Sequence, residues 1–326
     1  MDAEYSRAEL DALEESAYMG MNTSIFNPNK GRDKIAEIAR IILEEDFDLV
    51  GMCEVGGMET LAAFNRLYLE SRYDCRLHEE NSKRGIYVGA LVKKGRFPSA
   101  RARNMGASFS RNLLRLDLGR EGGYLEVFVV HLKSQYGPDR GLEQRIREVE
   151  RLSRLVRTRN CVVMGDFNGI LIRGENQFEY EPFLDLPFTD VLEAVGVPTE
   201  KRRTHYYFGP EPHFTQLDYI FCSNDIEILG AGVIEGEIPI NREQRARLPS
   251  DHLFIRAVIQ TEGKQPGRRD IQEAADGPAE IPAELPVTCE KEVMRGRNTN
   301  PLFTFMRNLR NRILKKIKGR AFDARP

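Results

Sequence analysis

The sequence predicts an α/β fold, and three observations carry that expectation. Short apolar runs alternate with amphipathic segments along most of the chain, 41% of the residues are apolar, and 326 residues suit one large domain with additions. With 30% of residues charged and ample material for a core, wholesale disorder is excluded by composition.

The elements follow in order. Residues 17–23 (AYMGMNT) read as a short strand ahead of the turn-rich FNPNKGR. DKIAEIARIILEED places Ile35, Ile38, Ala39, Ile41 and Ile42 at helical spacing, and DLVGMCEV reads as a buried strand. METL at 58–61 leads into a second helix, LAAFNRLYLESR. YVGALVKK (87–94), LLRLDL (113–118) and YLEVFVVHL (124–132) then read as strands. GLEQRIREVERLSRLVRTR supplies a long amphipathic helix before CVVMGDFNG (161–169), an apolar run that ends abruptly in polar residues. LDYIFCS (217–223), IEILGAGVI (226–234) and HLFIRAVIQ (252–260) complete a strand-rich second half.

Beyond the body, which spans residues 1–261, the character of the chain changes. Residues 262–290 are rich in Pro, Gly, Ala and Glu, lack an apolar period, and read as a linker. Residues 291–326 hold 11 Lys/Arg against Glu292 and Asp323, a local charge of +9, whereas the first 290 residues hold 37 against 48, or −11. Within this tail, residues 301–322 start at a proline and set Leu302, Phe305, Met306, Leu309, Ile313 and Ile317 at three-and-four spacing among Arg and Lys. Such a basic amphipathic helix can dock on the acidic body or a partner, grip a nucleic-acid backbone, or lie on an anionic membrane. No protein partner is identifiable from it.

Cys53, Cys75, Cys161, Cys222 and Cys289 are odd in number and lack CxxC spacing, which argues against a disulfide framework and a zinc ribbon. The acidic N-terminal stretch lacks the basic and apolar blocks of a secretory signal, and no apolar run reaches membrane-span length. The expected location is cytoplasmic, with peripheral membrane association through the tail as the alternative.

The chemistry-bearing residues recur in one kind of place. Asn22, Glu54, His131, Asp166 with Asn168, and Asp251 with His252 each sit at an end of an apolar strand-like run, and Asp218 sits at the start of another. If the strands pack into two sheets, these ends can converge on one rim and line one cleft. Taken singly, each has a plainer explanation: Asp-x-Asn as a turn, Ser-Asp-His at 250–252 as a cap or loop, His131 as a structural histidine. His205 and His213, in THYYFGPEPHF, can line a substrate loop, but surface or packing roles are favoured, and Cys53 reads as core. Together the set suits phosphodiester hydrolysis. Glu54, Asp251 and Asn22 offer hard oxygen ligands for Mg2+, with Mn2+ or Ca2+ as alternatives. Asp166 can orient or deprotonate water and Asn168 can donate to a phosphoryl oxygen. His252, beside Asp251 and within range of support from Asp218, can act as donor or acid, and His131 provides another such group.

In chain order, MNT, DLVGMCEV, FSRNLL, VVHLKS, VVMGDFNG, QLDYIF and LPSDHLFI resemble the endonuclease/exonuclease/phosphatase superfamily, which includes pancreatic-type deoxyribonuclease. The resemblance covers residues from about 17 to about 260. It implies a two-sheet, four-layer αββα sandwich of the deoxyribonuclease-like type, here with a C-terminal linker and basic amphipathic helix. By this resemblance Glu54, with Asn22 and Asp251 close by, binds the metal. Asp166 and Asn168 position water and phosphate, His252 pairs with Asp218, His131 faces the scissile phosphate, and Arg111 contacts a phosphate. There are departures. The chain has no tryptophan before Asn22, and KRGI stands where an acid that orients His131 is expected.

The leading expectation is a divalent-metal-dependent phosphodiesterase acting as a deoxyribonuclease-like endonuclease on nucleic acid, with DNA favoured. The alternatives are a phospholipid or phosphoinositide phosphodiesterase or phosphatase recruited to membranes by the tail, and an inactive binding protein of the same fold.

Overall fold

The structure is a computed structural model and describes residues 6–20, 30–80, 82, 84–120, 123–136, 139–208 and 211–261. Asn22, the linker and the basic tail lie outside the described residues.

In chain order the elements are α1 (Arg7–Ala12), α2 (Glu15–Gly20), α3 (Arg32–Glu45), β1 (Leu49–Val55), α4 (Met58–Tyr68), β2 (Tyr73–Leu77), β3 (Tyr87–Lys93), β4 (Ser99–Asn104), β5 (Leu114–Arg120) and β6 (Gly123–His131). There follow α5 (Leu142–Leu155), β7 (Cys161–Asp166), α6 (Glu181–Leu184), β8 (Phe188–Asp190), α7 (Val191–Ala194), β9 (His205–Tyr207), β10 (His213–Thr215), β11 (Asp218–Ser223), β12 (Ile226–Val233), α8 (Arg242–Arg247) and β13 (Ile255–Thr261).

Two sheets face each other. One has the order β4-β5-β6-β7-β11-β8, and the other the order β1-β3-β2. Side-chain alternation explains why they stack. On β6, Leu125, Val127 and Val129 enter the core between the sheets, while Phe128 and Val130 enter a second core on the outer face. Val162 on β7 and Cys222 on β11 repeat the inner set, as Val163 and Phe221 repeat the outer one. Helix α5 covers that outer face with Val149 and Leu152. On the far side, Leu91 of β3 faces Ile35, Ala39 and Ile42 of α3 and Leu61 and Phe64 of α4. The β12–β13 pair brings Ile228, Ala231, Ile255 and Ala257 against the inter-sheet core. The layers are therefore helix, sheet, sheet, helix, as the sequence predicts. Gly51 permits the close approach, since a Cβ there would lie 2.7 Å from Met164 Sδ and 3.3 Å from Val129 Cγ1.

Two expectations change. The run at 17–23 is not a strand over its first four residues, because Ala17–Gly20 belongs to α2; Tyr18 is buried beside α3 and donates from its hydroxyl to Lys30 O (2.9 Å). Strands β2 and β4 carry no long apolar run and escape a pattern-based reading. β4 is an edge strand whose Arg101 and Arg103 point outward, where charge discourages further strand pairing.

Candidate active site

Topology brings distant residues into one row. β11 runs antiparallel to β7, so its first residue meets the last of β7: Asp218 pairs with Asp166. β6 runs parallel to β7, so the two strand ends coincide and His131 pairs with Asp166. His252, just before β13, forms an isolated bridge with His205 of β9 and brings its Nδ1 to 2.7 Å from Asp218 Oδ2. A donor atom from each of Asp166, Asp218 and His252 lies within 4.8 Å of the others.

The position of Asp166 depends on its neighbours. A Cβ on Gly165, whose φ is +132°, would fall 2.1 Å from Val130 O, so only glycine fits there. Asn168, itself at φ +54°, donates its backbone N–H to Asp166 Oδ1 (2.7 Å) and its side-chain amide to Asp166 Oδ2 (2.9 Å) and to Leu132 O (2.9 Å). Both amide hydrogens are thus engaged within the protein. Here Asn168 holds the carboxylate, where the sequence expectation had it donating to phosphate.

Burial and charge set the protonation states. Asp166, His131 and Arg111 are only 6%, 4% and 4% exposed. Burial pushes the Asp166 carboxyl above the usual carboxylate range; His252, Asn168 and Arg111 oppose that push, and Asp218 adds to it. Burial also disfavours charge on His252, but Asp218, Asp166 and Asp251 outweigh it and raise that imidazole to about 10. His131 goes the other way. Burial, then Arg111, His252 and Arg84, hold it well below 6.5, so it is neutral at pH 7. Its Nε2 lies 3.4 Å from Asp166 Oδ2, and its buried Nδ1 has no hydrogen-bond partner among the described residues. Arg84, in the KRGI segment that stands where an orienting acid is expected, adds positive charge to this effect.

If Asp218 sustains the charge on His252, Asp218→Asn is expected to lower the midpoint of a His252 NMR titration from about 10 towards the ordinary value of about 6.5. An unmoved midpoint would remove Asp218 from that role.

Arg111 donates through Nη1 to Leu132 O (3.1 Å), while its buried Nε has no hydrogen-bond partner among the described residues. Burial lowers its pKa against the pull of Asp166 and Glu54. Glu54, the penultimate residue of β1, lies in a bulge, exposed and with φ at +59°, a costly conformation for a residue with a side chain. Glu54 and Asp251 both favour the charged form of Lys30. Asp251 pairs with Arg245 at 2.6 Å; burial opposes its ionisation, but His252 and Arg245 keep its carboxyl below the usual range.

The sites expected from the sequence therefore gather at one rim, apart from Asn22, which is outside the described residues. The cluster of closest donors, however, is Asp166, Asp218 and His252, with a second formed by His205, Asp251 and His252. Neither is the metal set expected from the sequence. Glu54, exposed and at φ +59°, has no hydrogen bond or ion pair among the described residues, while Asp251 is held by Arg245; both are carboxylates, the oxygen donors that a hard cation takes.

Other residues around the row take parts that the sequence reading did not give them. The His205 ring packs tilted against that of His252, with centroids 4.7 Å apart, and is held down to about 4, by burial first and then by the charge of His252. Thr204 Oγ1 accepts from the N–H groups of Leu217 and Asp218, fixing the start of β11. The sequence signal for them is only their place in the segment ahead of LDYIF. Cys53 donates to Val130 O (3.4 Å), and burial, then Asp166, raises its thiol pKa, in keeping with a core role.

Among the described residues no helix is long and apolar enough to cross a membrane. In fold, the chain is similar to D. rerio TDP2 in complex with a single-strand DNA product (TM-score 0.54, 17% identity, 70% of this chain and 92% of that one). It is also similar to a D. rerio TDP2 humanized by 14 mutations (0.55, 18%, 74% and 95%) and to an endonuclease/exonuclease/phosphatase family protein from Leptotrichia buccalis (0.51, 18%, 70% and 93%). No curated protein matches it in sequence. The model of one family matches residues 19–252, a span that takes in β1 with Glu54, the row at the ends of β6, β7 and β11, and His252 at its limit. The chain belongs to the Endonuclease/Exonuclease/phosphatase family.

Proposed function

We propose that the protein is a divalent-metal-dependent phosphodiester hydrolase that cleaves nucleic acid, in the manner of a deoxyribonuclease-like endonuclease. The family's enzymes are hydrolases of phosphoester bonds and are typically dependent on a divalent metal. The observation that carries the reading for this chain is the row His131, Asp166, Asp218, His252 with the buried Arg111 beside it. It offers a base, an acid and a phosphate-binding cation together.

Asp166, with its proton affinity raised by burial, accepts the proton of an attacking water more readily than an ordinary carboxylate. Asn168 aims that carboxylate. His252, protonated and pinned through Nδ1 to Asp218, donates to the phosphoryl or leaving oxygen. Arg111 offsets charge growing on the phosphoryl oxygens. Glu54 and Asp251, with Asn22, would hold Mg2+, which supplies further positive charge against the phosphate. Nucleic acid is favoured as substrate because D. rerio TDP2, a structural neighbour, holds a single-strand DNA product and because the +9 tail offers sequence-independent attraction to a phosphate backbone that the acidic body lacks. The same tail favours the second reading, an anionic lipid substrate.

The test is turnover of supercoiled plasmid, single-stranded DNA, RNA and phosphoinositide vesicles by the purified protein in Mg2+. Cleavage of a nucleic acid is expected, with a steep salt dependence that truncation at residue 290 flattens. Turnover confined to phosphoinositides would replace the nuclease reading with the lipid one, and an unchanged salt slope would remove the tail from substrate capture.

A further inference from the structure

The peptide group that joins Leu132 to Lys133 is bonded on both sides. Its carbonyl oxygen accepts from Arg111 Nη1 (3.1 Å) and Asn168 Nδ2 (2.9 Å), and its N–H donates to Glu148 Oε2 (2.7 Å). The other oxygen of Glu148 accepts from the backbone N–H of Ser110 (2.6 Å), the residue before Arg111, and from Gln144 Nε2 (2.9 Å). One carboxylate therefore ties the loop that carries Arg111 to the loop that follows His131.

Glu148 is fully buried on the packed face of α5, beside Val149 and Leu152. Arg145, nearly one turn earlier on that face, pairs with buried Glu179 (2.9 Å) and donates through Nη1 to Lys133 O (3.2 Å) and Arg140 O (2.7 Å). Helix α5 thus holds Lys133 by both its N–H and its C=O. A buried carboxylate is costly unless satisfied, and packing alone would be met by an apolar side chain. Here both oxygens face N–H donors, a demand that an amide, with one acceptor oxygen and one NH2, does not meet.

We propose that Glu148 is a positioning residue, whose carboxylate, set between the backbone N–H groups of Ser110 and Lys133, fixes the Leu132–Lys133 peptide and through it the orientation of Arg111 and Asn168. Its kinetic consequence rests on the phosphodiesterase reading of this rim; its geometric content does not.

The test uses the full chain carrying Glu148→Gln, with Arg147→Ala on the exposed face of α5 as control. Rates are normalised to the folded fraction, and the 15N signals of Arg111 Nε–H and of the Asn168 side-chain amide are recorded. Misplacing groups at a site by about an ångström costs on the order of a hundredfold. Glu148→Gln is accordingly expected to raise KM about tenfold and lower kcat/KM about 10- to 100-fold, with both signals displaced and the control unchanged. A folded Glu148→Gln protein with wild-type KM and undisplaced signals would overturn the proposal, as a group that merely supports the fold would behave in that way. Should Glu148→Gln not fold, Glu148→Asp carries the same readouts. If the wild-type protein cleaves no phosphodiester, the functional reading has failed by itself, and the two NMR signals alone decide: displaced, they support the positioning role; unmoved, they refute it.

Discussion

Replacing Asp166 with Ala is expected to lower kcat by about 10³- to 10⁴-fold, His252→Ala by a similar factor, and the double replacement by little more than either alone. The non-additivity is the informative part. Asp166 and His252 do not act as separate reserves: each charge shifts the other's protonation, and a donor atom from each lies within 4.8 Å of the other and of Asp218. Removing the base leaves the acid with no developing charge to neutralise, and removing the acid strands the attacked phosphate with a poor leaving oxygen. Initial rates of the two single variants and the double variant under saturating substrate check this. Losses that multiply would mean that the two residues serve independent steps.

The pH dependence follows from the same pair. Activity needs Asp166 ionised and His252 protonated. The acid limb is set by a carboxyl raised above the usual range of about 4, and the alkaline limb lies near 10, so the optimum falls between them on the neutral-to-alkaline side.

Arg111→Ala is expected to lower kcat/KM by about 10²- to 10³-fold, with a clear rise in KM, and Arg111→Lys is expected to recover less than about tenfold of that loss. A guanidinium is normally the most satisfied of buried cations. This one uses Nη1 on Leu132 O and keeps Nε unpartnered among the described residues, although burial already works against its charge. A phosphate is the partner that such an arrangement lacks, and its planar fork can present two N–H groups at once, which an ammonium cannot. Steady-state kinetics of the two variants test this; equal KM for wild type and Arg111→Ala would place Arg111 outside substrate binding.

Much of this rim was legible in the sequence because strand ends are local features. GDFN closes an apolar run, LDYIF opens one and SDH precedes one, and sheet pairing does the rest: Asp218 reaches Asp166 because β11 is antiparallel to β7, and His131 reaches it because β6 is parallel. What was not legible depends on tertiary packing. Glu148 is one glutamate among several on an amphipathic helix, and only its position with Arg145, Val149 and Leu152 on one face hints that it is buried. The role of Asn168 changed for a related reason. Its type and spacing point to phosphate, but the nearby Leu132 carbonyl and Asp166 carboxylate take its amide hydrogens. The segment at 17–20 was misread because four residues without a clear period fit a strand or a helix equally well, and burial of Tyr18 decides for the helix.

The most direct measurement is the initial rate of supercoiled plasmid cleavage by the wild-type protein in Mg2+, by the same protein after chelation, and by the Asp166→Ala, His252→Ala double variant in Mg2+. Cleavage by the first and background rates from the other two are the expected result. Turnover that survives both chelation and the double replacement would contradict metal-dependent hydrolysis at this rim.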